Sequence, residues 1–178
     1  MGVRGPHTQT EIVMPTYNYT TQQWETGRSG WRVRVEQLRE ELAADEGIKH
    51  EVYRDHLGLL SCAIGHLCKE GDPEYDQPVG TPVSEERVEE LFAKDIAWTI
   101  SDCQKLLPDF DMLPEEVRLI VANMCFNLGI NRLGKFLRLL DAIENRSWQL
   151  AADEMYDSKW ARQLPARSGR LIARMREV

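Results

Sequence analysis

Two acidic residues, Glu46 and Asp55, have the chemistry and the surroundings to divide acid and base work. Val35, Leu38 and Leu42 recur at the three- and four-residue spacing of one helix face, and the next position of that stripe is Glu46. A carboxyl group among apolar neighbours, at the negative end of a helix dipole, is disfavoured in its ionised form. We therefore expect Glu46 to hold a proton near neutral pH, as a general acid must.

Asp55 lies in the turn-like segment Asp-His-Leu-Gly at 55–58, where it should be exposed to solvent and ionised. Two carboxyl groups in opposite environments are typical of glycoside hydrolysis. One group protonates the leaving oxygen, while the other activates water or attacks the sugar. The spacing of Glu46 and Asp55 alone does not define their separation, so two solvated surface charges remain the alternative.

A second acid also lies on a core-facing stripe. Asp95 shares a helix face with Val88, Leu91 and Phe92, and a buried carboxylate requires a partner. His66, at the end of an apolar segment, is the candidate. We favour a structural ion pair between His66 and Asp95 over a catalytic histidine.

The remaining pattern predicts a small sheet and several helices. Residues 48–66 read as an antiparallel hairpin or meander, and 69–83, rich in Gly and Pro, as a loop. The predicted helices are 31–46, ended by Gly47; 84–107, capped by Ser84; an apolar central helix from Pro114 to Leu128, ended by Gly129; 131–143, opened by Asn131; 147–157, opened by Ser147; and one after Pro165.

These elements predict an α+β fold. A small antiparallel sheet lobe over about 47–83 would be joined by the long helix to a larger helical lobe, formed by about 84–178 and the first helix. Residues 1–30 read as an irregular N-terminal arm before the 31–178 domain. This arm is either a passive tail or, because Tyr17, Tyr19 and Trp24 are interleaved in it, a strap that docks onto a partner protein.

Composition narrows the functional class. The chain has 178 residues and a formal net charge of −7, which argues against a general nucleic-acid binder. Neither a membrane span nor a secretory signal peptide is visible, so a soluble protein is expected. The spacing of Cys62, Cys68, Cys103 and Cys125 predicts packed thiols rather than a disulfide frame or zinc site, and no metal or organic cofactor is expected.

Several segments and single residues form a combination that is more specific than any one motif. They are Asp45-Glu46-Gly47, Val52-Tyr53-Arg54-Asp55, Leu60 to Leu67, Glu90-Leu91-Phe92, Asp95, Asn123 to Gly129, Trp148, Ser158-Lys159-Trp160, Gln163, Pro165, Arg167 and Arg170. In this order and spacing they resemble phage-type lysozymes, glycoside hydrolase family 24, over about residues 35–177.

The resemblance implies a role for each residue of the site. Glu46 would be the general acid, Asp55 would support attack by water, and Ser61, where relatives have a threonine, would help to hold that water. The implied substrate-binding residues are Leu67, Phe126, Asn127 and Phe136. The implied ion pairs are Arg167 with Glu46, Arg170 with Asp45, and His66 with Asp95.

The implied activity is a peptidoglycan hydrolase that cleaves the β-1,4 bond between N-acetylmuramic acid and N-acetylglucosamine with inversion. Bacterial peptidoglycan would be its partner, and the protein would act as a monomer. It would be a phage endolysin, held in the host cytoplasm before release to the wall, or a tail component bound to a phage structural protein through residues 1–30. A catalytically inactive wall-binding or virion module and a lytic transglycosylase remain alternatives.

Three departures from the family pattern concern the substrate. The loop between His66 and Ser84 is shorter than in relatives, where an additional helix lies beside the cleft, and Asn127 replaces a glutamine. The negative charge is opposite to that of basic lysozymes, so long-range attraction to an anionic wall should be weaker.

Overall fold

A computed structural model describes Thr16–Asn18, Gln23–Glu25 and residues 29–178, with side chains from Val35 onward. In the arm, β1 (Thr16–Asn18) and β2 (Gln23–Glu25) pair antiparallel, β1 against the long helix and β2 against the first helix. The sequence pattern did not indicate this pairing. Most of the predicted irregular arm, including Tyr19, lies outside the described residues, so its docking role stays a prediction.

The sheet lobe is a three-stranded antiparallel meander, as the sequence predicted. Its strands are β3 (Lys49–Arg54), β4 (Leu60–Ala63) and β5 (His66–Leu67), in the order β3-β4-β5. An irregularity in β3 shifts the pairing with β4 between Lys49 and Tyr53. The loop that follows returns to the sheet, where Pro82 forms a bridge with Glu51.

The helical lobe is larger and is joined to the sheet by the long helix, which confirms the predicted α+β architecture. Its helices are α1 (Ser29–Glu46), α2 (Glu85–Leu106), α3 (Glu115–Leu128), α4 (Ile130–Leu133), α5 (Leu137–Glu144), α6 (Trp148–Tyr156), α7 (Lys159–Gln163) and α8 (Pro165–Arg176). The α2 helix contacts β4 and β5 on one side and α3 on the other, so it belongs to both lobes.

The core of the helical lobe surrounds α3, which packs against α1, α2, α4 and α8. Every residue of α3 from Leu119 to Cys125 is buried, as expected for a helix that is apolar on nearly all sides. Gly129 ends it with a φ of 71°, in the left-handed region that favours glycine. The predicted central helix is confirmed, with Pro114 one position before its first residue.

Two predicted elements differ from the structure. The single helix expected over 131–143 is divided into α4 and α5, and α4 begins after Gly129 rather than at Asn131. The division lies at Gly134, where an added Cβ would be 3.1 Å from the carbonyl oxygen of Ile130 and 3.3 Å from Leu106. Gly134 itself keeps helical backbone angles, and the chain leaves the helical conformation at Phe136, with a φ of −82° and a ψ of 56°. The short α7 and a 3-10 turn at Phe110–Met112 were not predicted.

The four cysteines are buried free thiols. In the sheet lobe, the sulfur atoms of Cys62 and Cys68 are 3.7 Å apart. Cys103 and Cys125 contact each other between α2 and α3, where the hydrogen bond between the two thiols and then burial raise the pKa of Cys103. All four therefore act as small packing residues.

Candidate active site

Glu46 is the last residue of α1, at the edge of the helical lobe. Val35, Leu38 and Leu42, the earlier positions of its stripe, are fully buried, but the side chain of Glu46 is 28% exposed. Gly47 follows with a φ of 76° and ends the helix. The expectation of apolar surroundings for Glu46 is therefore wrong, because the helix leaves the core at this position.

Two donors from the helical lobe converge on one oxygen of Glu46. Nη1 of Arg167 on α8 lies 2.8 Å from Oε1, and Nδ2 of Asn127 at the end of α3 lies 3.4 Å from the same atom. Arg167 is itself only 6% exposed, so its charge is desolvated. A charge-assisted bond of this kind is shorter and stronger than a neutral one, so Arg167 provides the stronger of the two contacts.

Asp45 shares Arg167 with Glu46. Nε of Arg167 lies 2.8 Å from Oδ2 of Asp45, and Nη2 of Arg170 lies 2.7 Å from the same oxygen. Burial raises the pKa of Asp45, but the hydrogen bonds and charges of the two arginines outweigh it and lower that pKa. Asp45 is thus held ionised beside Arg167, where it balances part of the positive charge next to Glu46.

Asp55 lies in the turn between β3 and β4, where backbone donors orient it. Its Oδ1 accepts hydrogen bonds from the backbone N–H groups of Leu57 at 2.8 Å and Leu59 at 2.9 Å. An aspartate that binds the backbone ahead of it in this way stabilises a tight turn. The carboxylate is half-buried at the tip of the sheet rather than freely exposed.

Tyr53 of β3 lies within range of the charges of both acids and was not among the predicted site residues. Burial is the main cause that raises its pKa, and the charges of Asp55 and Glu46 raise it further. Both carboxylates therefore act on the same phenol from opposite lobes. The turn after β4 also approaches the acid, because a Cβ added to Gly65 would lie 4.0 Å from Cγ of Glu46.

Ser61 and Leu67 extend from Tyr53 as a row across the sheet. Ser61 on β4 pairs with Tyr53 on one side and with Leu67 on the other, so the three side chains share one face. Ser61 is 3% exposed and Leu67 is 38% exposed. The surface thus opens toward Leu67, and the expected role of Ser61 in holding water stays a prediction.

The helical lobe contributes Phe126, Asn127 and Phe136. Phe126 is half-buried against Phe92 of α2, with ring centroids 6.4 Å apart. Phe136 and Trp160 line a groove of about 620 Å³. The indole Nε1 of Trp160 donates to Oδ1 of Asn127 at 3.0 Å, which connects this groove to Glu46. Trp160 matched the family segment but was not predicted as a site residue.

His66 lies outside this arrangement, in a network that joins the sheet lobe to α2. It is 2% exposed; its Nδ1 lies 2.8 Å from Asp95 and its Nε2 lies 3.3 Å from Asp72. Burial lowers the pKa of His66, but the two carboxylates outweigh burial and raise it. Nζ of Lys94, 2.9 Å from Asp72, completes the network. Asp72 was not predicted, because the loop that carries it has no periodic pattern.

Among residues 29–178 no group of three or more His, Cys, Asp or Glu side chains is arranged to hold a metal ion. No helix in the described part of the chain is long and apolar enough to cross a membrane. What the geometry offers is two carboxyl groups, Glu46 at the end of α1 and Asp55 in the β3–β4 turn of the sheet lobe, each held by fixed donors. Such an arrangement can donate a proton on one side and activate water on the other.

Comparison with known proteins places this chain in a family. The phage lysozyme family model matches residues 43–177. Two proteins of Dictyostelium discoideum, probable T4-type lysozymes 1 and 2, are each 30% identical over 158 residues, which cover 78% of this chain and 93% of theirs. The pre-baseplate central spike protein Gp5 of Enterobacteria phage T4 is 27% identical over 153 residues, covering 75% of this chain and 26% of Gp5.

Proposed function

Because this chain belongs to the phage lysozyme family and is a glycoside hydrolase of the lysozyme type, we propose that it cleaves bacterial peptidoglycan. The bond is the β-1,4 link between N-acetylmuramic acid and N-acetylglucosamine. The observation that supports the proposal is that Glu46, at the end of α1, and Asp55, in the β3–β4 turn, are both near enough to Tyr53 for their charges to raise its pKa. Neither acid is paired with the other, so each is available for its own half of the reaction.

In the proposed mechanism Glu46 is the general acid. Its proton passes to the glycosidic oxygen as the bond from that oxygen to the anomeric carbon breaks, and the departing sugar leaves as an alcohol. Arg167 and Asn127 donate to one oxygen of the carboxyl group, which fixes the orientation of Glu46 toward the substrate. Pre-organisation of this kind lowers the barrier because the acid does not have to be oriented during the reaction.

Asp55 is the proposed base. It accepts a proton from a water molecule whose oxygen forms the new bond to the anomeric carbon, on the face opposite the leaving oxygen. That geometry inverts the configuration and produces one new reducing end per bond cleaved. The backbone donors of Leu57 and Leu59 support this role, because they hold the carboxylate in a defined orientation. Ser61 is proposed to hold the same water.

The saccharide chain is proposed to lie along the row that ends at Leu67 and against Phe126, Asn127 and Phe136 of the helical lobe. The exposed edge of Leu67 and the half-buried phenylalanine rings suit the apolar faces of sugar rings, and the amide of Asn127 suits an N-acetyl or hydroxyl group. The loop 67–83 carries no helix in the structure, so fewer sugar contacts are expected on that side.

The biological setting is proposed to be bacteriophage infection, with the protein either a free endolysin or a component of the virion tail. The similarity to part of the T4 central spike protein supports the second setting. In that case residues 1–30 are the proposed attachment to a phage structural protein. Removing residues 1–28 and finding unchanged assembly into particles would exclude that attachment.

The proposal is tested by replacing Glu46 with Gln and measuring the reducing ends released from purified peptidoglycan. The rate should fall by roughly 10²–10⁴, the usual contribution of general acid catalysis. Glu36→Gln, at an exposed position of the same helix, is the matched control and should retain the wild-type rate. Clearing of cell walls by Glu46→Gln at the wild-type rate would reject the mechanism.

Mass analysis of the products separates the alternatives. A hydrolase yields ordinary reducing muramic acid, and Asp55→Asn should abolish most of this product. A lytic transglycosylase would yield anhydromuramic acid and would tolerate Asp55→Asn. An inactive wall-binding module would sediment with peptidoglycan and release neither product.

A further inference from the structure

Asn127 lies between Glu46 and Trp160 and bonds to both through opposite ends of its amide. Oδ1 accepts from the indole of Trp160 at 3.0 Å, and Nδ2 faces Oε1 of Glu46 at 3.4 Å. An asparagine amide can rotate by half a turn, which exchanges its donor and its acceptor. The groups around it therefore decide which end the acid meets.

Trp160 decides this orientation, because an indole N–H can donate but cannot accept. If the amide turned over, its NH₂ group would face the indole N–H, and two donors would oppose each other. Trp160 is 4% exposed, so water cannot take over the lost bond without cost. Its helix, α7, is held in place by Ser158, whose hydroxyl accepts from the N–H of Ala161 at 3.0 Å and donates to the carbonyl of Met155.

The fixed amide donor falls on the same oxygen of Glu46 that Arg167 already contacts. Oε1 thus faces an amide N–H and a guanidinium N–H. A proton on Oε1 would point toward these donors, so the transferable proton belongs on Oε2. We propose that Trp160 is a positioning residue: through Asn127 it keeps Oε1 of Glu46 hydrogen-bonded to protein donors. Oε2 is then the oxygen that delivers the proton to the glycosidic oxygen.

This inference rests on the proposed function, because it assigns a proton path to the proposed acid. It also predicts the defect that follows when the indole N–H is lost. The amide of Asn127 is then free to turn its carbonyl toward Glu46, where that carbonyl can accept the carboxyl proton. The proton is held on the wrong oxygen, and the chemical step slows while saccharide binding is little changed.

The test replaces Trp160 with Phe, which keeps an aromatic ring and removes the N–H. On solubilised, uncrosslinked glycan strands of peptidoglycan we expect kcat to fall about tenfold, the scale of one hydrogen bond to a charged group, with KM within about twofold of wild type. Trp98→Phe is the matched control. Trp98 is 44% exposed on α2 and faces Lys69 and Lys94, and its replacement should leave both constants unchanged.

A double-mutant cycle with Asn127→Leu separates positioning from packing. Leucine has the same branched shape but no amide to orient, so Trp160→Phe should have no further effect on kcat in the Asn127→Leu background. A structural role for Trp160 alone would instead give losses that multiply. Multiplying losses, a wild-type kcat in Trp160→Phe, or a rise in KM without a fall in kcat would each overturn the proposal.

Two further measurements keep the test decisive. If Trp160→Phe does not fold, β-(3-benzothienyl)alanine at position 160 removes the N–H and preserves the shape of the indole, and it should show the same tenfold loss. The wild-type protein and Glu46→Gln are assayed in parallel. A wild type that releases no reducing ends rejects the proposed function, whereas an active wild type with an equally active Trp160→Phe rejects only the role of Trp160.

Discussion

Replacing His66 with Asn should lower the free energy of unfolding by about 3 kcal/mol at pH 5.5. The imidazole is 2% exposed between the carboxylates of Asp95 and Asp72. Its removal leaves Asp95, 18% exposed, without that partner, whereas Asp72 keeps Lys94 at 2.9 Å and the backbone N–H of Lys69 at 2.8 Å. Because one of the two acids stays compensated, we expect the lower end of the 3–5 kcal/mol range for a broken buried ion pair.

The sign of the pH dependence follows from the two shifts. The folded-state pKa of His66 is raised above its unfolded value of about 6.5, so its stabilisation is complete below that pH and is lost as pH rises through the folded pKa. Burial raises the pKa of Asp72, but hydrogen bonds from Lys94, Lys69 and His66 together outweigh it and hold that pKa well below its usual range. Its stabilisation is present above about pH 4 and is lost at lower pH. The difference between wild type and variant should therefore be largest between about pH 4 and pH 6.5.

The measurement is urea and thermal unfolding at pH 5.5 and at pH 9. At pH 5.5 the Tm should fall by roughly 6–12 °C for a chain of this length, and the difference should be smaller at pH 9. His50→Asn is the control, because His50 is half-exposed beside Glu85 and should contribute under about 0.5 kcal/mol. Wild-type stability of His66→Asn at pH 5.5 would refute the reasoning. Lost activity with retained stability would instead assign His66 to catalysis.

Three other outcomes are expected. Arg167→Met should lower the free energy of unfolding in urea by about 3–5 kcal/mol and should also lower kcat, because it leaves Asp45 and Glu46 without their buried cation. The control is Arg170→Met, at a side chain that is 40% exposed, which should change stability by less than about 1 kcal/mol. Raising NaCl from about 50 to 200 mM should change the rate of wall clearing less than twofold. The reason is that a protein of net charge −7 gains little from long-range attraction to an anionic wall. A steep decline in the rate would contradict this. Gly47→Ala should lower the unfolding free energy by about 1–2 kcal/mol in urea, since its φ of 76° is strained for any residue with a Cβ; an unchanged midpoint would show that the turn relaxes.

Periodicity and caps explain why so much of the fold could be predicted. Several signals are local: the apolar stripe of α1, the cap at Ser84, and the glycines that end α1 and α3. In the structure Ser84 caps α2, and both glycines have the positive φ expected where a helix ends. The division of α4 from α5 could not be predicted, because no local signal marks Phe136, where the backbone leaves the helical conformation.

Prediction of the site residues was limited in the same way, because local sequence signals do not report contacts between distant parts of the chain. The sequence pattern could not show that α1 emerges from the core at Glu46. The spacing of apolar residues tells which side of a helix is buried, but not how far along the helix its packing partners extend. Asp72 and Trp160 join their networks through bonds to residues 6 and 33 positions away. Tyr53 lies in a segment that matched the family, but nothing in its spacing marked it as a site residue, because its pKa is raised by two charges that only the folded chain brings near it.

The donors that hold Glu46 all belong to α3 and α8, whereas Asp55 is carried by the β3–β4 turn. A hinge movement of one lobe against the other would therefore change the gap between the two carboxyl groups without disturbing the acid's own contacts. Glu46 would keep its hydrogen bonds at every opening angle. Only the distance between the two carboxyl groups, into which the attacking water must fit, would vary. Closure around a glycan, rather than any rearrangement at Glu46, would set the moment at which the two halves of the reaction can work together.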